Sequence, residues 1–323
     1  MKGIHRIIVQ NKRIRYDFEV KRNITILQGD SATGKTTLID MIQEYMDQGK
    51  ASMIDLQCDK RCGVIGGSTW QGQLSQFTDS IIFIDEGNDF ILSNEFASII
   101  QKTDNYYVIV SREGLPNLPY SVEEIYGIHS SGKYGQVKQC YQTFYHIYNL
   151  KNEEREIIPE IVITEDSNAG YQFFSKVCEQ SEIRCFSAAG KSNIINELKN
   201  LNQQELTVII ADGAAFGSEM NRIMKYIEYR DYVKLYVPES FEWLLLSSHI
   251  FEDKKLDKMI EKPFEYVDSQ KYFSWEQFFT ELLMEVSHDS YLQYNKRKLN
   301  EAYLMGNVKK AVLDSMDIIK FGE

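Results

Sequence analysis

A glycine-rich loop between two apolar segments constrains this chain more than any other feature. Residues 29–37 read Gly-Asp-Ser-Ala-Thr-Gly-Lys-Thr-Thr, follow the β-branched run at residues 23–28 and lead into the apolar-periodic residues 36–46. Gly29 and Gly34 allow backbone angles that a side chain would block. When a strand, a glycine loop and a helix follow in this order, the backbone N–H groups of the loop and the N-terminus of the helix face the same point. The partial positive charge of the helix end then adds to these donors. The segment therefore predicts a phosphate-binding loop on an α/β sheet.

The residue types of this loop predict its contacts with a nucleotide. Lys35 is expected to reach the β- and γ-phosphates of ATP and to take part in catalysis, and the Thr36 hydroxyl to bind Mg²⁺. The predicted nucleotide-binding residues are Gly29, Asp30, Ser31, Ala32, Thr33, Gly34, Lys35, Thr36 and Thr37.

A second motif has the composition expected of the partner strand. Residues 80–86 read Ser-Ile-Ile-Phe-Ile-Asp-Glu, and a fully apolar run suits a parallel strand covered on both faces. Asp85 would then lie at the carboxyl end of the strand, where it can hold Mg²⁺. Glu86 is the predicted catalytic residue that orients or deprotonates the attacking water.

A third apolar run, residues 106–110, ends in Ser111 and Arg112. Ser111 is the candidate for reading the γ-phosphate, with capping of the strand as the alternative. Arg112 is either a phosphate contact or a surface charge. Polar–apolar alternation further along predicts edge strands or a hairpin around Gly132.

The second half of the chain starts a new alternation of strands and helices, which predicts a second, parallel sheet. Three acidic residues, Glu165, Asp212 and Glu239, follow the first, third and fourth predicted strands. Carboxylates gathered at the carboxyl edge of a sheet can hold Mg²⁺ for phosphodiester chemistry. Lys191 is a candidate for contact with a phosphate. The four predicted strands are residues 161–164, 183–187, 206–210 and 232–237.

The loop at residues 29–36 and the acid pair after residues 81–84 resemble the P-loop NTPase superfamily, and the opening antiparallel strands look like its ABC- or AAA-like ATPases. The order of Glu165, Asp212 and the Glu239 region looks like a TOPRIM domain. Together, the two halves are similar to the overcoming-lysogenization-defect family of ATPase-nucleases. That family has a second aspartate where this chain has Ala214.

The resemblance implies an α/β protein with three parts. These are a P-loop ATPase domain with a parallel sheet (residues 1–150), a smaller TOPRIM-like α/β domain (residues 157–245) and a helical C-terminal extension packed on it (residues 246–323). The implied function is binding and hydrolysis of ATP with Mg²⁺, coupled to a nucleic-acid transaction such as defence against phages or mobile elements. The alternative is a nucleotide-switched assembly protein, acting as a homo-oligomer or with a protein partner, whose second domain is not catalytic.

Charge and cysteine usage limit the other possibilities. The net charge is -11 and the pI is near 5.1, which argues against a protein whose whole surface binds nucleic acid. No run of apolar residues is long enough for a membrane span, and charges interrupt the first residues, so neither a membrane location nor a signal peptide is expected. The 5 scattered cysteines favour free thiols and a cytoplasmic location, with Cys58 and Cys62 open as a pair of metal ligands.

Overall fold

The computed structural model describes residues 1–30, 33–131, 139–149, 156–201 and 204–322. The chain divides into two units, Met1–Tyr148 with Phe264–Ser274, and Asn149–Pro263 with Trp275–Glu323. The predicted α/β class is confirmed, because a large mixed sheet forms in the first unit and a smaller parallel sheet in the second. The predicted domain ranges stay predictions.

The first unit is built on a curled sheet of nine strands in the order β4-β1-β2-β9-β8-β3-β7-β6-β5. The strands are β1 (His5–Gln10), β2 (Ile14–Val20), β3 (Ile24–Leu27), β4 (Asp55–Gln57), β5 (Arg61–Val64), β6 (Ser80–Ile84), β7 (Tyr106–Val110), β8 (Ile125–Ser131) and β9 (Cys140–His146). The helices are α1 (Lys35–Gln48), α2 (Trp70–Leu74) and α3 (Asn94–Ile100).

The parallel strands β3, β7 and β6 form the buried centre of this sheet. Every residue of these three strands is buried, as the apolar runs predict for strands covered on both faces. The helix α1 buries Leu38 and Ile42 and leaves other positions exposed, so its apolar face lies in the same core. The sequence prediction of strand, loop and helix is confirmed here.

The strands β8 and β9 pair antiparallel, as one of the two sequence interpretations predicts. Gly132 itself lies outside the described residues. The other interpretation, edge strands, is wrong, because β8 also pairs with β3 and β9 with β2. Alternation of polar and apolar residues along a strand indicates that its two faces have different surroundings. It does not indicate which strands pair with it.

The second unit has a four-stranded parallel sheet in the order β11-β10-β12-β13. Strand β10 is at Ile161–Thr164, β11 at Arg184–Ser187, β12 at Thr207–Ile210 and β13 at Val233–Tyr236, close to the four predicted runs. The helices are α4 (Ala169–Gln180), α5 (Ile194–Asn200), α6 (Met220–Ile227), α7 (Phe241–Ser247), α8 (Lys254–Glu261), α9 (Trp275–Ser287) and α10 (Gly306–Asp314).

A short segment far along the chain completes the first unit. The Ser269 hydroxyl accepts a hydrogen bond from the Met1 ammonium at 2.9 Å. The Asn23 side-chain amide donates to the carbonyls of Ser269 and Tyr272 at 3.0 and 3.2 Å. The segment Phe264–Ser274 thus satisfies buried polar groups at the start of the chain.

Within the described ranges, no helix combines the length and the apolar composition needed to cross a lipid bilayer.

Candidate functional site

The glycine loop adopts the backbone that its sequence predicts. Gly29 has φ of 122° and Gly34 has φ of 95°, values that a residue with a side chain rarely adopts. Gly34 precedes the first residue of α1, so the helix begins directly at the end of the loop. Of the predicted nucleotide-binding residues, Ser31 and Ala32 lie outside the described residues.

The Lys35 ammonium is held by the loop itself. It donates to the carbonyl oxygens of Gly29 and Asp30 at 2.9 and 2.7 Å and to the Thr33 hydroxyl at 2.9 Å. Lys35 is 6% exposed, and its burial lowers the pKa of the ammonium. The N–H groups of the Lys35 ammonium can also donate to phosphate oxygens. The charged phosphate oxygens would then replace the neutral carbonyl and hydroxyl oxygens as acceptors.

Thr36 and Asp85 come from different elements and meet at the carboxyl edge of the sheet. The Thr36 hydroxyl donates to Asp85 Oδ1 at 3.4 Å, and the same oxygen accepts a hydrogen bond from the backbone N–H of Glu86 at 2.8 Å. Burial raises the pKa of Asp85. The Thr36 hydroxyl and the Asp85 carboxylate are hard oxygen donors, which Mg²⁺ prefers. A Mg²⁺ ion held by these two groups would take its remaining ligands from phosphates and water. Thr37, the next residue, is exposed.

The strand order brings the third predicted residue to the same edge. Strand β7 pairs with β3 on one side and β6 on the other, so Ser111 follows the strand between the loop and Asp85. Ser111 is 7% exposed, and its hydroxyl donates to the carbonyl of Glu113 at 2.8 Å. This bond is compatible with the capping role. The predicted contact with a γ-phosphate stays a prediction.

Glu86 forms an ion pair with Arg112, whose Nε lies 2.5 Å from Glu86 Oε1. Both residues follow central strands, β6 and β7, which the structure places next to each other. The guanidinium therefore fixes the carboxylate that the sequence predicts as the base. Arg112 is exposed, so the pair lies at the rim of the site.

A tyrosine that the sequence did not predict as a site residue forms a hydrogen bond with the backbone of the loop. Tyr16 on β2 is completely buried, and its hydroxyl donates to the carbonyl of Gly34 at 2.8 Å. Burial raises the pKa of Tyr16 to about 12, so the hydroxyl keeps its proton. Gln142 on the neighbouring β9 is also buried, close to Gly34. Alternation along β2 predicts that Tyr16 is buried, but no local signal predicts its contact with the loop.

In the second unit, two of the three predicted metal ligands come together. Glu165 follows β10 and its Oε2 accepts a hydrogen bond from the backbone N–H of Asp212 at 3.1 Å. Both acids line a pocket at the carboxyl edge of the sheet, and Glu239 is not among its lining residues. Glu242 and Tyr294 of the same unit do line it.

Burial shifts the pKa values of ionisable groups at this edge of the sheet. Burial raises the pKa of Glu165 to about 7, and burial together with the Glu276 and Glu242 carboxylates raises that of Asp212. The pKa of Lys191 is lowered by burial, and its ammonium donates to the Ala215 carbonyl at 3.0 Å. Burial therefore raises the pKa of both acids and lowers that of the lysine at this edge.

The remaining acids of this edge already have partners. Lys296 lies 2.5 Å from Glu276 Oε1 and 3.9 Å from Glu242 Oε1, and the Tyr294 hydroxyl donates to Glu242 at 2.8 Å. Burial opposes the charge of Lys296, but these two carboxylates raise its pKa. The sequence analysis missed Tyr294, Lys296 and Glu276, because they lie more than 50 residues beyond Asp212 and carry no motif.

Binding of a divalent cation by Glu165, Asp212 and Glu239 stays a prediction. In the part of the chain that the structure describes, no three His, Cys, Asp or Glu side chains converge in a way that would hold a metal ion. Lys296 pairs with Glu276 and lies near Glu242, so these two carboxylates already have a cationic partner.

Comparison of the chain with protein families and with curated protein sequences gives no significant match.

Proposed function

We propose that the first unit binds and hydrolyses ATP with Mg²⁺, in the manner of a P-loop nucleoside triphosphatase. The observation that carries this proposal is the Lys35 ammonium enclosed by the loop that precedes its own helix. A buried ammonium at a helix N-terminus, ringed by the backbone of a glycine loop, forms an anion site that a triphosphate fits.

The neighbouring residues supply the other requirements of phosphoryl transfer. Thr36 and Asp85 would hold Mg²⁺, which neutralises charge on the β- and γ-phosphates when bound. Glu86 would accept a proton from the attacking water, and Arg112 keeps its carboxylate in place. The buried Tyr16 hydroxyl keeps the carbonyl of Gly34 in position at the last turn of the loop.

Binding is tested by calorimetry with Mg²⁺ and a non-hydrolysable ATP analogue. We expect Lys35→Ala to weaken binding by about 10- to 100-fold, since a hydrogen bond from a charged group contributes roughly 1.5–3 kcal/mol. Lys50→Ala is the matched control, because it removes the same charge from an exposed position of the first unit. Unchanged binding by Lys35→Ala, with the fold intact by circular dichroism, contradicts the site.

Hydrolysis is tested separately with Glu86→Gln, which keeps the size of the side chain. This variant should bind the analogue as the unaltered chain does and turn over ATP about 10²- to 10⁴-fold more slowly. Release of phosphate at the unaltered rate would assign the base to another residue.

For the whole chain, the second unit favours the nucleotide-switched assembly protein over the nuclease. The observation is that Lys296 pairs with Glu276 and lies near Glu242, so that lysine already neutralises part of the acidic charge at this edge. We expect Mg²⁺ and ATP to change the oligomeric state in light scattering, without cleavage of DNA or RNA in Mg²⁺ or Mn²⁺. Metal-dependent cleavage that Glu165→Ala abolishes would instead support the nucleic-acid transaction.

A further inference from the structure

Two cysteines lie where the two edges of the large sheet are joined. Strands β4 and β5 are the outermost strands of the nine, and only residues 58–60 connect them. Cys58 directly follows β4, and Cys62 is the second residue of β5. The curl of the sheet therefore brings together two thiols that sheet order alone would place far apart.

Both cysteines line one cavity, together with Tyr45, Met46, Leu56, Lys60 and Arg61. Cys58 is half-buried and Cys62 is 6% exposed, so a small reagent in the cavity reaches Cys58 first. The backbone N–H of Lys60 donates to Cys58 Sγ at 3.4 Å. This contact favours a thiolate at Cys58, whereas the hydrogen bond that the Cys58 thiol donates to Asp59 Oδ1 at 3.7 Å favours the thiol.

The Cys62 thiol donates to the carbonyl of Lys60 at 3.9 Å, and the pKa values of the two thiols shift in opposite directions. The neighbouring Cys62 thiol lowers the pKa of Cys58, although burial and the Asp59 carboxylate oppose this. The neighbouring Cys58 thiol and burial raise the pKa of Cys62. Asp59 is itself paired with His5, whose Nδ1 lies 2.8 Å from its carboxylate. The pair therefore contains one thiol suited to be a nucleophile and one held protonated beside it.

We propose that Cys58 and Cys62 form a redox-active dithiol that reacts with hydrogen peroxide. The Cys58 thiolate attacks one peroxide oxygen, the O–O bond breaks, and hydroxide leaves and takes up the proton that Cys58 released. Cys58 is then a sulfenic acid. The Cys62 sulfur attacks the Cys58 sulfur, the S–O bond breaks, and the departing hydroxide leaves as water with the Cys62 proton. The two sulfurs lose two electrons in all, and the peroxide becomes two waters.

The alternative role of the pair, as metal ligands, lacks further donors. Within the residues that the structure describes, no third His, Cys, Asp or Glu completes a metal site with them. A second pair of neighbouring thiols lies in the second unit, where Cys185 raises the pKa of Cys178. Because Cys178 is completely buried on α4, this pair is a comparison within the same molecule.

The test is exposure of the full chain to a small molar excess of hydrogen peroxide, followed by alkylation, trypsin and mass spectrometry. Trypsin cleaves after Lys60 and Arg61, so a disulfide between Cys58 and Cys62 appears as two joined peptides that a reductant separates. We expect this product to form before any disulfide between Cys178 and Cys185. If both Cys58 and Cys62 remain alkylatable while Cys140 or the second pair is oxidised, the proposal is wrong.

Single variants assign the two roles. In Cys62→Ala, dimedone should trap a sulfenic acid at Cys58, because no resolving thiol remains. In Cys58→Ser, oxidation of Cys62 should slow by about tenfold or more, since a protonated thiol is a poor nucleophile. Equal oxidation of Cys62 with and without Cys58 overturns the assignment. The order of disulfide formation in the unaltered chain tests the proposal even where a variant does not fold.

Discussion

Single residues in the loop show how closely the backbone and the proposed chemistry depend on each other. Gly34 has a positive φ, contributes the carbonyl that Tyr16 binds, and directly precedes Lys35. A side chain at this position would meet the Tyr16 hydroxyl, because an added Cβ lies 2.9 Å from it. Both the dihedral angle and the space therefore require glycine.

We predict that Gly34→Ala destabilises the first unit by about 1–3 kcal/mol, from backbone strain and this close contact. It should also abolish binding of Mg²⁺ and ATP. Hydrogen exchange of first-unit peptides in denaturant measures the stability, and calorimetry measures the binding.

Gly72→Ala is the matched control for this prediction. Gly72 lies in α2 with no atom within 4 Å of an added Cβ, so alanine should stabilise the helix by up to about 1 kcal/mol. Equal effects of the two substitutions would contradict the argument from backbone geometry.

At the scale of elements, the carboxyl ends of parallel strands collect the polar residues in both units. In the first unit, the insertion of β7 between β3 and β6 sets the spacing between the loop and Asp85. In the second, the ends of β10 and β12 bring Glu165 next to the backbone of Asp212. The same geometry yields the proposed anion site in one unit and an acid cluster partly paired with Lys296 in the other, because the neighbouring side chains differ.

The acid at the end of β10 makes the stability of the second unit depend on pH. The pKa of Glu165 rises from 4.5 to about 7 on folding, so the folded unit keeps a proton that the unfolded chain has released. This contribution is full below pH 4.5 and is lost as the pH rises towards 7. Each unit of pKa corresponds to about 1.4 kcal/mol, so a loss of roughly 2–3 kcal/mol is expected.

Glu165→Gln should remove this dependence, because the amide is neutral at every pH and still offers an oxygen to the Asp212 N–H. We expect the variant to gain stability over the unaltered chain as the pH rises, in urea unfolding of the second unit. Glu261→Gln changes an exposed carboxylate of the same unit and should follow the unaltered chain. A constant difference across this pH range would refute the cause given for the pKa of Glu165.

At the scale of the molecule, the first unit is discontinuous in sequence. The segment Phe264–Ser274 returns to bind the Met1 ammonium and the Asn23 amide. We predict that a fragment ending at residue 148 unfolds at a lower temperature than the first unit of the full chain, because buried donors lose their acceptors.

A synthetic peptide of residues 264–274 should raise the unfolding temperature of that fragment, since it binds only the folded form. A scrambled peptide of the same composition is the control. If the fragment is as stable alone as the first unit within the chain, the segment contributes no stability.

The sequence alone determined the elements and their chemistry wherever the signal was local. Apolar runs predicted β3, β6, β7 and the strands of the second sheet, and Gly29 and Gly34 predicted a loop with positive φ. These predictions succeed because backbone sterics and strand burial act over a few neighbouring residues.

Only the tertiary structure decided which elements lie side by side. It brought the Tyr16 hydroxyl to the carbonyl of Gly34 and gave β8 and β9 interior positions in the sheet. It also brought Lys296 and Glu276 together near the edge of the second sheet. It left Glu239 out of the lining of the pocket to which Glu165 and Asp212 contribute. Contacts between distant residues depend on the packing of the whole unit, because many strand orders can bury the same apolar runs.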